Sequence, residues 1–194
     1  MKAAVLHGQK DIRYEEVADP VINKGEVLVK VKACGICGSD LPRVLGKGAH
    51  YYPIILGHEF AGEIAAIGDE VSGLAVGDRI ACAPLIPCHH CPDCSRGNYS
   101  QCKNYTFIGS RIQGAWAEYI KVPAVNAVKL PDGVSFVEGA FFEPATVALH
   151  GILLMQGSGG QDVAILGMGT IGLLVLQLVK ALGAKRILAM DIDQ

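Results

Sequence analysis

Four cysteines lie close together in the stretch CHHCPDCSRGNYSQC, where their spacing is C-x2-C-x2-C-x7-C. A closed zinc site needs four sulfurs at ~2.3 Å from the metal and no open position. An iron–sulfur motif of the bacterial type begins similarly but continues with a three-residue gap and Cys-Pro. The two intervening histidines, His89 and His90, are not needed because four sulfurs fill the shell. The pattern predicts a structural zinc site whose ligands are Cys88, Cys91, Cys94 and Cys102.

A second set of metal-binding residue types is spread over the motifs CGSD, GHE and FFEP. One cysteine, one histidine and one glutamate from distant loops, here Cys37, His58 and Glu143, would give zinc three protein ligands and an open position. That arrangement is typical of catalytic zinc, which acts as a Lewis acid. From the residues alone, the alternative that single buried Cys and His side chains only fill the core stays open.

The motif CGIC, which ends at Cys37, also resembles a redox C-x-x-C pair. No thioredoxin-like pattern of strand and helix surrounds it, and Pro42 would interrupt a long helix starting there. We expect the cysteines outside the metal motifs, Cys34 and Cys82, to be buried and unreactive.

The third chemical signal is GMGTIG, a G-x-G-x-x-G motif that follows an apolar strand and opens a helix. Glycines there permit a tight turn and the approach of a pyrophosphate to the helix N-terminus. Asp191 follows at the end of the next strand, where an acid binds the ribose 2′-hydroxyl of NAD and repels the 2′-phosphate of NADP. An unrelated glycine turn is the alternative. The predicted NAD-binding residues are Gly167, Gly169, Thr170, Ile171, Gly172 and Asp191.

The elements that must position these residues follow from hydrophobic periodicity. Glu26 to Lys32 alternates between apolar and charged side chains, which predicts a half-buried strand. Further β-rich runs separated by glycine and proline predict a compact β barrel or sandwich through about residue 125. From Phe136 to Gln156 the pattern is helical. The fold class predicted is α/β with a β-rich N-terminal part.

The C-terminal part reads as strand, helix, strand. The segment Val163 to Val179 has no charge and is about 17 residues long, the lower limit of a membrane span. Its three glycines instead indicate a buried strand, a turn and a half-buried helix, so we predict no membrane association. We place the domain boundary between 1–155 and 156–194. Because two parallel strands cannot bury both faces of a sheet, we interpret the 194-residue chain as part of a longer one.

Composition limits the classes of partner. The chain has 17 Lys and Arg residues against 19 Asp and Glu, with a net charge of -2 and no run of like charges, which disfavours nucleic acid and anionic membranes. The N-terminus lacks the apolar region of a secretory signal. We therefore expect a cytoplasmic protein, and in that reducing compartment clustered cysteines indicate metal rather than disulfides.

Together these motifs resemble the zinc-dependent medium-chain alcohol and polyol dehydrogenases, over the whole chain. The stretch GHEFAGEIAAIGDEV has that family's spacing of G-H-E, Gly62, Gly68 and Val71, and the cysteine motif lies where the family carries its structural zinc. The stretches CGSDLPR, GAHYYPIILGHEF and FIGSR are most similar to the galactitol-1-phosphate branch of the family. The sorbitol and threonine branches are more distant.

The resemblance implies a GroES-like catalytic domain followed by the start of a Rossmann doubly wound sheet, with the active site in the cleft between them. It also implies that Cys37, His58 and Glu143 bind the catalytic zinc, that Glu59 supports His58 or binds transiently, and that Ser39 accepts the proton of the alcohol. Many members have a relay histidine three residues after this serine, but this chain has Pro42 there.

The implied reaction is hydride transfer to NAD from a secondary alcohol of a polyol or polyol phosphate, galactitol 1-phosphate above all, with two zinc ions per chain, one catalytic and one structural. A homodimer or homotetramer of the full-length form is also implied. Arg43, Lys47 and Arg111 could bind a substrate phosphate, although each can equally be a surface charge. The alternatives are a sorbitol- or threonine-type enzyme and a non-catalytic, zinc-stapled fragment.

Overall fold

A computed structural model describes residues 1–46, 48–156 and 159–192. Contacts divide the chain into two compact units, Met1–Phe141 and Phe142–Gln194. The strands of the first unit are β1 (Lys2–Gly8), β2 (Asp11–Glu16), β3 (Glu26–Cys34), β4 (Ile54–Ile55), β5 (Phe60–Ile67), β6 (Arg79–Cys82), β7 (Leu85–Ile86), β8 (Thr106–Phe107), β9 (Tyr119–Pro123) and β10 (Ala127–Lys129). Its helices are α1 (Leu41–Leu45), α2 (Pro92–Ser95) and α3 (Phe136–Ala140), with short 3-10 turns at Tyr99–Gln101 and Ala124–Asn126.

The first unit is built from antiparallel sheets, as the alternating and glycine-punctuated sequence predicts. One sheet has the strand order β10-β6-β5-β3-β9 and another the order β2-β1-β4, while β7 pairs with β8. The period-two pattern of β3 is confirmed, since Val27 and Val29 are fully buried and Lys30 is exposed. Buried side chains of β3, β5, β6 and β9 form the main core, which includes Phe60 and Ile64.

The second unit contains α4 (Phe142–Leu154), β11 (Asp162–Leu166), α5 (Thr170–Ala181) and β12 (Arg186–Met190). The predicted succession of strand, helix and strand is confirmed, and β11 and β12 pair in parallel with Asp162 opposite Arg186. Gly183 follows the helix with φ +84°, the left-handed conformation that commonly ends a helix. Among the residues described, no helix is both long and apolar enough to cross a bilayer.

The α/β fold class with a β-rich N-terminal part is confirmed. The division by contacts groups α4 with the second unit because α4 packs against α5. The domain boundary after residue 155 is a separate assignment and stays a prediction.

Gly62 shows why a glycine is required inside β5. A Cβ atom at this position would lie 2.3 Å from the backbone carbonyl oxygen of Lys30 on β3, a contact that no rotamer change can relieve. We expect Gly62→Ala to lower the free energy of unfolding by about 2 kcal/mol through overpacking of the sheet. Urea denaturation measures this loss.

The matched control for this prediction is Gly8→Ala, in the same unit, where a Cβ would meet no atom within 4 Å. It should change the free energy of unfolding by less than about 0.5 kcal/mol. Equal losses for the two variants would contradict the close approach of β3 and β5.

Candidate metal and cofactor sites

The cysteine motif folds into a lobe around α2 and the turn at Tyr99–Gln101. Cys91, Cys94 and Cys102 are buried and Cys88 is half-buried, and their four sulfur atoms lie within 4.8 Å of one another. The Sγ atoms of Cys88 and Cys94 are 4.0 Å apart, as are those of Cys91 and Cys102. A disulfide requires about 2.05 Å, whereas a tetrahedron with metal–sulfur bonds of ~2.3 Å has edges of ~3.8 Å. The geometry therefore fits a closed tetrahedral metal site.

The electrostatics of the lobe also fit a cation. Hydrogen bonding to the backbone at Cys94 lowers the pKa of Cys91 to about 6, and burial raises the pKa of Cys94 to about 12. The backbone N–H of Cys88 donates to Cys102 Sγ at 3.3 Å. Touching thiols cannot all ionise without a positive charge among them, so a bound cation would complete the cluster.

A second group forms where two loops of the first unit meet. Cys37 lies in the loop between β3 and α1, and His58 and Glu59 lie between β4 and β5. Their ligand atoms are within 4.8 Å of one another. The backbone N–H of Gly35 donates to Glu59 O at 2.7 Å and fixes one loop to the other. The sulfur, nitrogen and oxygen donors brought together here are those that zinc accepts.

Two glycines make this approach possible. Gly57 has φ +94°, and a Cβ there would lie 2.3 Å from Cδ1 of Trp116 and 2.9 Å from Cys34 Sγ. At Gly35 a Cβ would lie 2.3 Å from Glu59 Oε2. A side chain at Gly57 would displace Trp116 or the GHE loop, and a side chain at Gly35 would displace the carboxylate of Glu59.

Burial favours the neutral form of His58. It is 5% exposed, and burial lowers the pKa of its imidazole, which favours the uncharged form that binds metals. Among the described residues none forms a hydrogen bond with its buried Nδ1, although Asp40 Oδ1 lies 3.7 Å away. The ring also makes an edge contact with Phe107, with centroids 5.5 Å apart. Nδ1 thus faces a carboxylate, as the ring nitrogen that does not bind the metal does in most metal-binding histidines.

Asp40 is a site residue that the sequence interpretation missed. It is 1% exposed, its Oδ2 accepts a hydrogen bond from the backbone N–H of Cys37 at 3.1 Å, and its other oxygen faces His58. Burial raises the pKa of this carboxyl. The signal available in the sequence is an acidic residue three positions after a candidate ligand cysteine, and only the fold shows that it turns inward.

Ser39 lies next to the candidate ligand sulfur. Its hydroxyl donates to Cys37 Sγ at 3.3 Å and accepts from Arg43 Nη1 at 2.8 Å. Burial raises the pKa of Cys37, and the serine hydrogen bond opposes that rise because it stabilises the thiolate.

The C-x-x-C pair of Cys34 and Cys37 is not joined by a disulfide in this structure. All seven cysteines are free thiols. Burial raises the pKa of Cys34 to about 12 and also raises that of Cys82, so neither thiol is activated. Cys82 is buried as expected, whereas Cys34 is half-buried, and the raised pKa values fit the unreactive thiols expected from the sequence.

The glycine motif of the second unit forms a turn between β11 and α5. Gly167 has φ +95°, and a Cβ at Gly172 would lie 1.9 Å from Gly167 O, so both glycines are required by the backbone. Asp191 is close to this turn, since its Oδ2 accepts a hydrogen bond from the backbone N–H of Met168 at 2.5 Å. The structure thus places the glycine turn, the N-terminus of α5 and the acid close together.

The other candidate residues of the second unit lie at the N-terminal ends of its helices α4 and α5. Gly169 caps α5, whose first residues are Thr170 and Ile171. Glu143 is in the first turn of α4, where its carbonyl accepts a hydrogen bond from Thr146 Oγ1 at 2.7 Å. Its role as a ligand of the catalytic zinc stays a prediction.

Comparison with known proteins gives the family. Residues 23–132 match the model of the alcohol dehydrogenase GroES-like domain. The chain belongs to this family. Its GroES-like domain contains the cysteine lobe and the group of Cys37, His58 and Glu59.

Relatives of this GroES-like protein include whole dehydrogenases. Galactitol 1-phosphate 5-dehydrogenase of Escherichia coli (strain K12) is 51% identical over 100% of this chain and 56% of its own length. Sorbitol dehydrogenase of Bacillus subtilis (strain 168) is 40% identical, with 100% of this chain and 56% of its own length covered. The chain thus spans about half the length of these relatives.

Solved structures give the same result for the fold. Galactitol-1-phosphate dehydrogenase from Escherichia coli superposes with a TM-score of 0.97 at 50% identity, covering 100% of this chain and 56% of that structure. A zinc-binding dehydrogenase from Sinorhizobium meliloti 1021, described as putative and bound to NADP, has a TM-score of 0.92 at 40% identity and covers 97% and 55%. The likeness extends through both units of the chain.

Gly57→Ala should weaken metal binding at the Cys37 group. The added Cβ would displace Trp116 or the GHE loop, and alanine at a φ of +94° adds strain of about 1–3 kcal/mol. We expect at least tenfold weaker cobalt(II) binding in a titration followed by absorbance. In Gly38→Ala, where a Cβ meets nothing within 4 Å, affinity should be unchanged. Equal affinities in the two variants would contradict the proposed packing.

Cys37 and Cys34 should respond differently to substitution. Cys37→Ser should abolish metal binding at this group while the cysteine lobe keeps its ion, because only Cys37 directs its sulfur at His58 and Glu59. Cys34→Ala should keep both ions, since its thiol packs beside Trp116. Elemental analysis after gel filtration measures both. Loss of metal in both variants would favour a role of the C-x-x-C pair as a unit.

Proposed function

We propose that the protein is a zinc-dependent dehydrogenase that transfers hydride from a secondary alcohol of a polyol or polyol phosphate to NAD. The proposed substrate is galactitol 1-phosphate, which gives tagatose 6-phosphate. The observation that carries the proposal is the group of Cys37, His58 and Glu59, which lies apart in sequence from the closed cysteine lobe. The names of the relatives in Escherichia coli and Bacillus subtilis support the choice of polyols.

Each residue of the Cys37 group has a separate proposed role in the reaction. A bound zinc ion supplies Lewis-acid chemistry that makes a hydroxyl group more acidic. His58 and Cys37 would hold the ion, with Glu143 as the proposed third ligand and Glu59 beside them. Asp40 lies 3.7 Å from His58 Nδ1 and orients the imidazole.

Proton transfer is proposed to use Ser39. Its oxygen accepts the proton of the substrate hydroxyl and passes that proton on, so that the serine is unchanged at the end. Because Pro42 offers no base, and because Ser39 is exposed, the proton passes to solvent water. NAD, when bound, would supply the nicotinamide ring that takes up the hydride.

The second unit is proposed to bind NAD. The backbone of Gly167 to Gly172 and the N-terminus of α5 receive the pyrophosphate. The carboxylate of Asp191, close to the turn, accepts hydrogen bonds from a ribose diol and repels a 2′-phosphate. A related protein binds NADP, so the preference for NAD in this chain rests on Asp191.

The candidate cations for a substrate phosphate differ in their surroundings. Arg43 directs its guanidinium inward, to Ser39 and Asp40. Arg111 is exposed and stacks on Tyr105, with its guanidinium carbon 4.5 Å from the ring centroid. Lys47 lies outside the described residues. Of the described candidates, Arg111 is the one we propose for the phosphate.

Two further assignments accompany this function. We propose a cytoplasmic location, because every cysteine is a free thiol and a reducing compartment preserves thiols. Assembly as a homodimer or homotetramer stays a prediction of the resemblance.

Zinc analysis and turnover test the function together. We expect two zinc ions per chain, of which a mild chelator removes one, because three protein ligands with an open position hold zinc less firmly than four thiolates. The zinc-loaded protein should form NADH faster with galactitol 1-phosphate than with galactitol or sorbitol. Arg111→Met should lower this preference for the phosphorylated substrate.

The outcomes separate the alternatives. Faster turnover of sorbitol would indicate the sorbitol-type enzyme, and turnover of threonine the threonine type. A single, chelator-resistant zinc with no NAD binding would indicate the non-catalytic protein.

The choice of cofactor is tested separately. Asp191→Ala should increase the use of NADP relative to NAD, and an unchanged ratio would contradict the role of Asp191.

A further inference from the structure

Arg43 is connected to the candidate metal ligand Cys37 through Ser39. Its Nη1 donates to Ser39 O at 2.7 Å and to Ser39 Oγ at 2.8 Å, and Ser39 Oγ donates to Cys37 Sγ at 3.3 Å. The result is a directed chain from guanidinium to hydroxyl to sulfur. The same Nη1 lies 3.4 Å from Asp40 Oδ1, so the charge of Arg43 is balanced by a buried carboxylate.

The short helix α1 fixes the position from which Arg43 reaches back. The backbone N–H of Val44 donates to Asp40 O at 2.9 Å. The turn between β1 and β2 holds the other end, since the Lys10 N–H donates to Val44 O at 2.6 Å and Gln9 Nε2 to Leu45 O at 2.8 Å. With an 18% exposed side chain, Arg43 has little freedom to adopt another rotamer.

This chain of bonds determines what Ser39 can still do. A hydroxyl has one proton and two lone pairs. The proton is directed at Cys37 Sγ, and one lone pair accepts from Arg43. One lone pair therefore remains as an acceptor, in a fixed direction.

We propose that Arg43 is a positioning residue for Ser39: it fixes the serine hydroxyl on the sulfur of Cys37 and so directs the remaining lone pair at the hydroxyl of the substrate. This inference rests on the proposed function, in which Ser39 accepts the substrate proton. Arg43 itself is not a base, because a guanidinium stays protonated at any working pH. Its contribution is orientation, at a site where Pro42 supplies no side-chain donor.

The test uses cobalt(II) at the Cys37 group, with zinc kept in the cysteine lobe. The charge-transfer absorption from thiolate to cobalt is identified as the band that Cys37→Ser abolishes. In Arg43→Met this band should move to longer wavelength, because a thiolate that loses a hydrogen bond becomes a stronger electron donor. Arg13→Met removes an exposed arginine that pairs with Asp11 on β2, and it should leave the band in place.

A double-mutant cycle separates positioning from general damage to the fold. Ser39→Ala should shift the band in the same direction, and Arg43→Met should add no further shift in the Ser39→Ala background. An unchanged band in Arg43→Met, or an equal shift with and without Ser39, overturns the inference while the proposed function stands. Absence of any Cys37 band in the unsubstituted protein overturns both.

A second variant covers the case in which Arg43→Met does not fold, as judged by circular dichroism and by the zinc content of the lobe. Arg43→Lys keeps the charge, but its shorter side chain ends before the position from which Nη1 donates to both oxygens of Ser39. It should give a smaller shift in the same direction. A band identical to that of the unsubstituted protein would show that charge alone suffices, which contradicts a positioning role.

Discussion

The hydrogen bond from the Gly35 N–H to Glu59 O, 2.7 Å long, is the constraint on which the candidate catalytic group depends. It fastens the loop after β3 to the loop before β5 and so brings Cys37 to His58 and Glu59. The bond is possible because neither Gly35 nor Gly57 has a side chain to occupy the space between the loops. The antiparallel pairing of β3 with β5 sets the distance between the loops, and the glycines allow the final approach. The proximity of these three side chains is thus a consequence of sheet register.

Burial gives this group an electrostatic character that a cation would complement. Removal from water lowers the pKa of His58 and raises the pKa values of Cys37 and Asp40. Each shift reflects the cost of a charge in a poorly solvated place. A metal ion reverses this cost for the sulfur and makes use of the neutral imidazole. The folded chain therefore buries polar groups whose mutual contacts do not fully replace their lost hydration. This is typical of a binding site formed before its ligand is bound.

Local sequence patterns were sufficient for some features and insufficient for others. The strand periodicity of β3 and the glycine turn before α5 could be predicted because both depend on neighbouring residues. The cysteine lobe could be predicted because its residues span a short, regularly spaced stretch. The inward turn of Asp40 could not, since its burial depends on α1 and on the distant His58. The same holds for Arg43, which the sequence suggests as a phosphate ligand and the fold directs to Ser39.

The cysteine lobe and the Cys37 group are also connected through one short strand. Tyr105, just before β8, packs against the cysteine cluster, and Phe107 at the end of β8 contacts the ring of His58. Arg111 stacks on Tyr105 and so belongs to the same segment. Besides the pairing of β8 with β7, the carbonyl of Phe107 accepts backbone hydrogen bonds from Arg111 and Ile112. The packing of Tyr105 on the cysteine cluster thus adds to the bonds that place Phe107 on His58. Although it has no open position for chemistry, the lobe helps to define the wall of the site where chemistry is proposed.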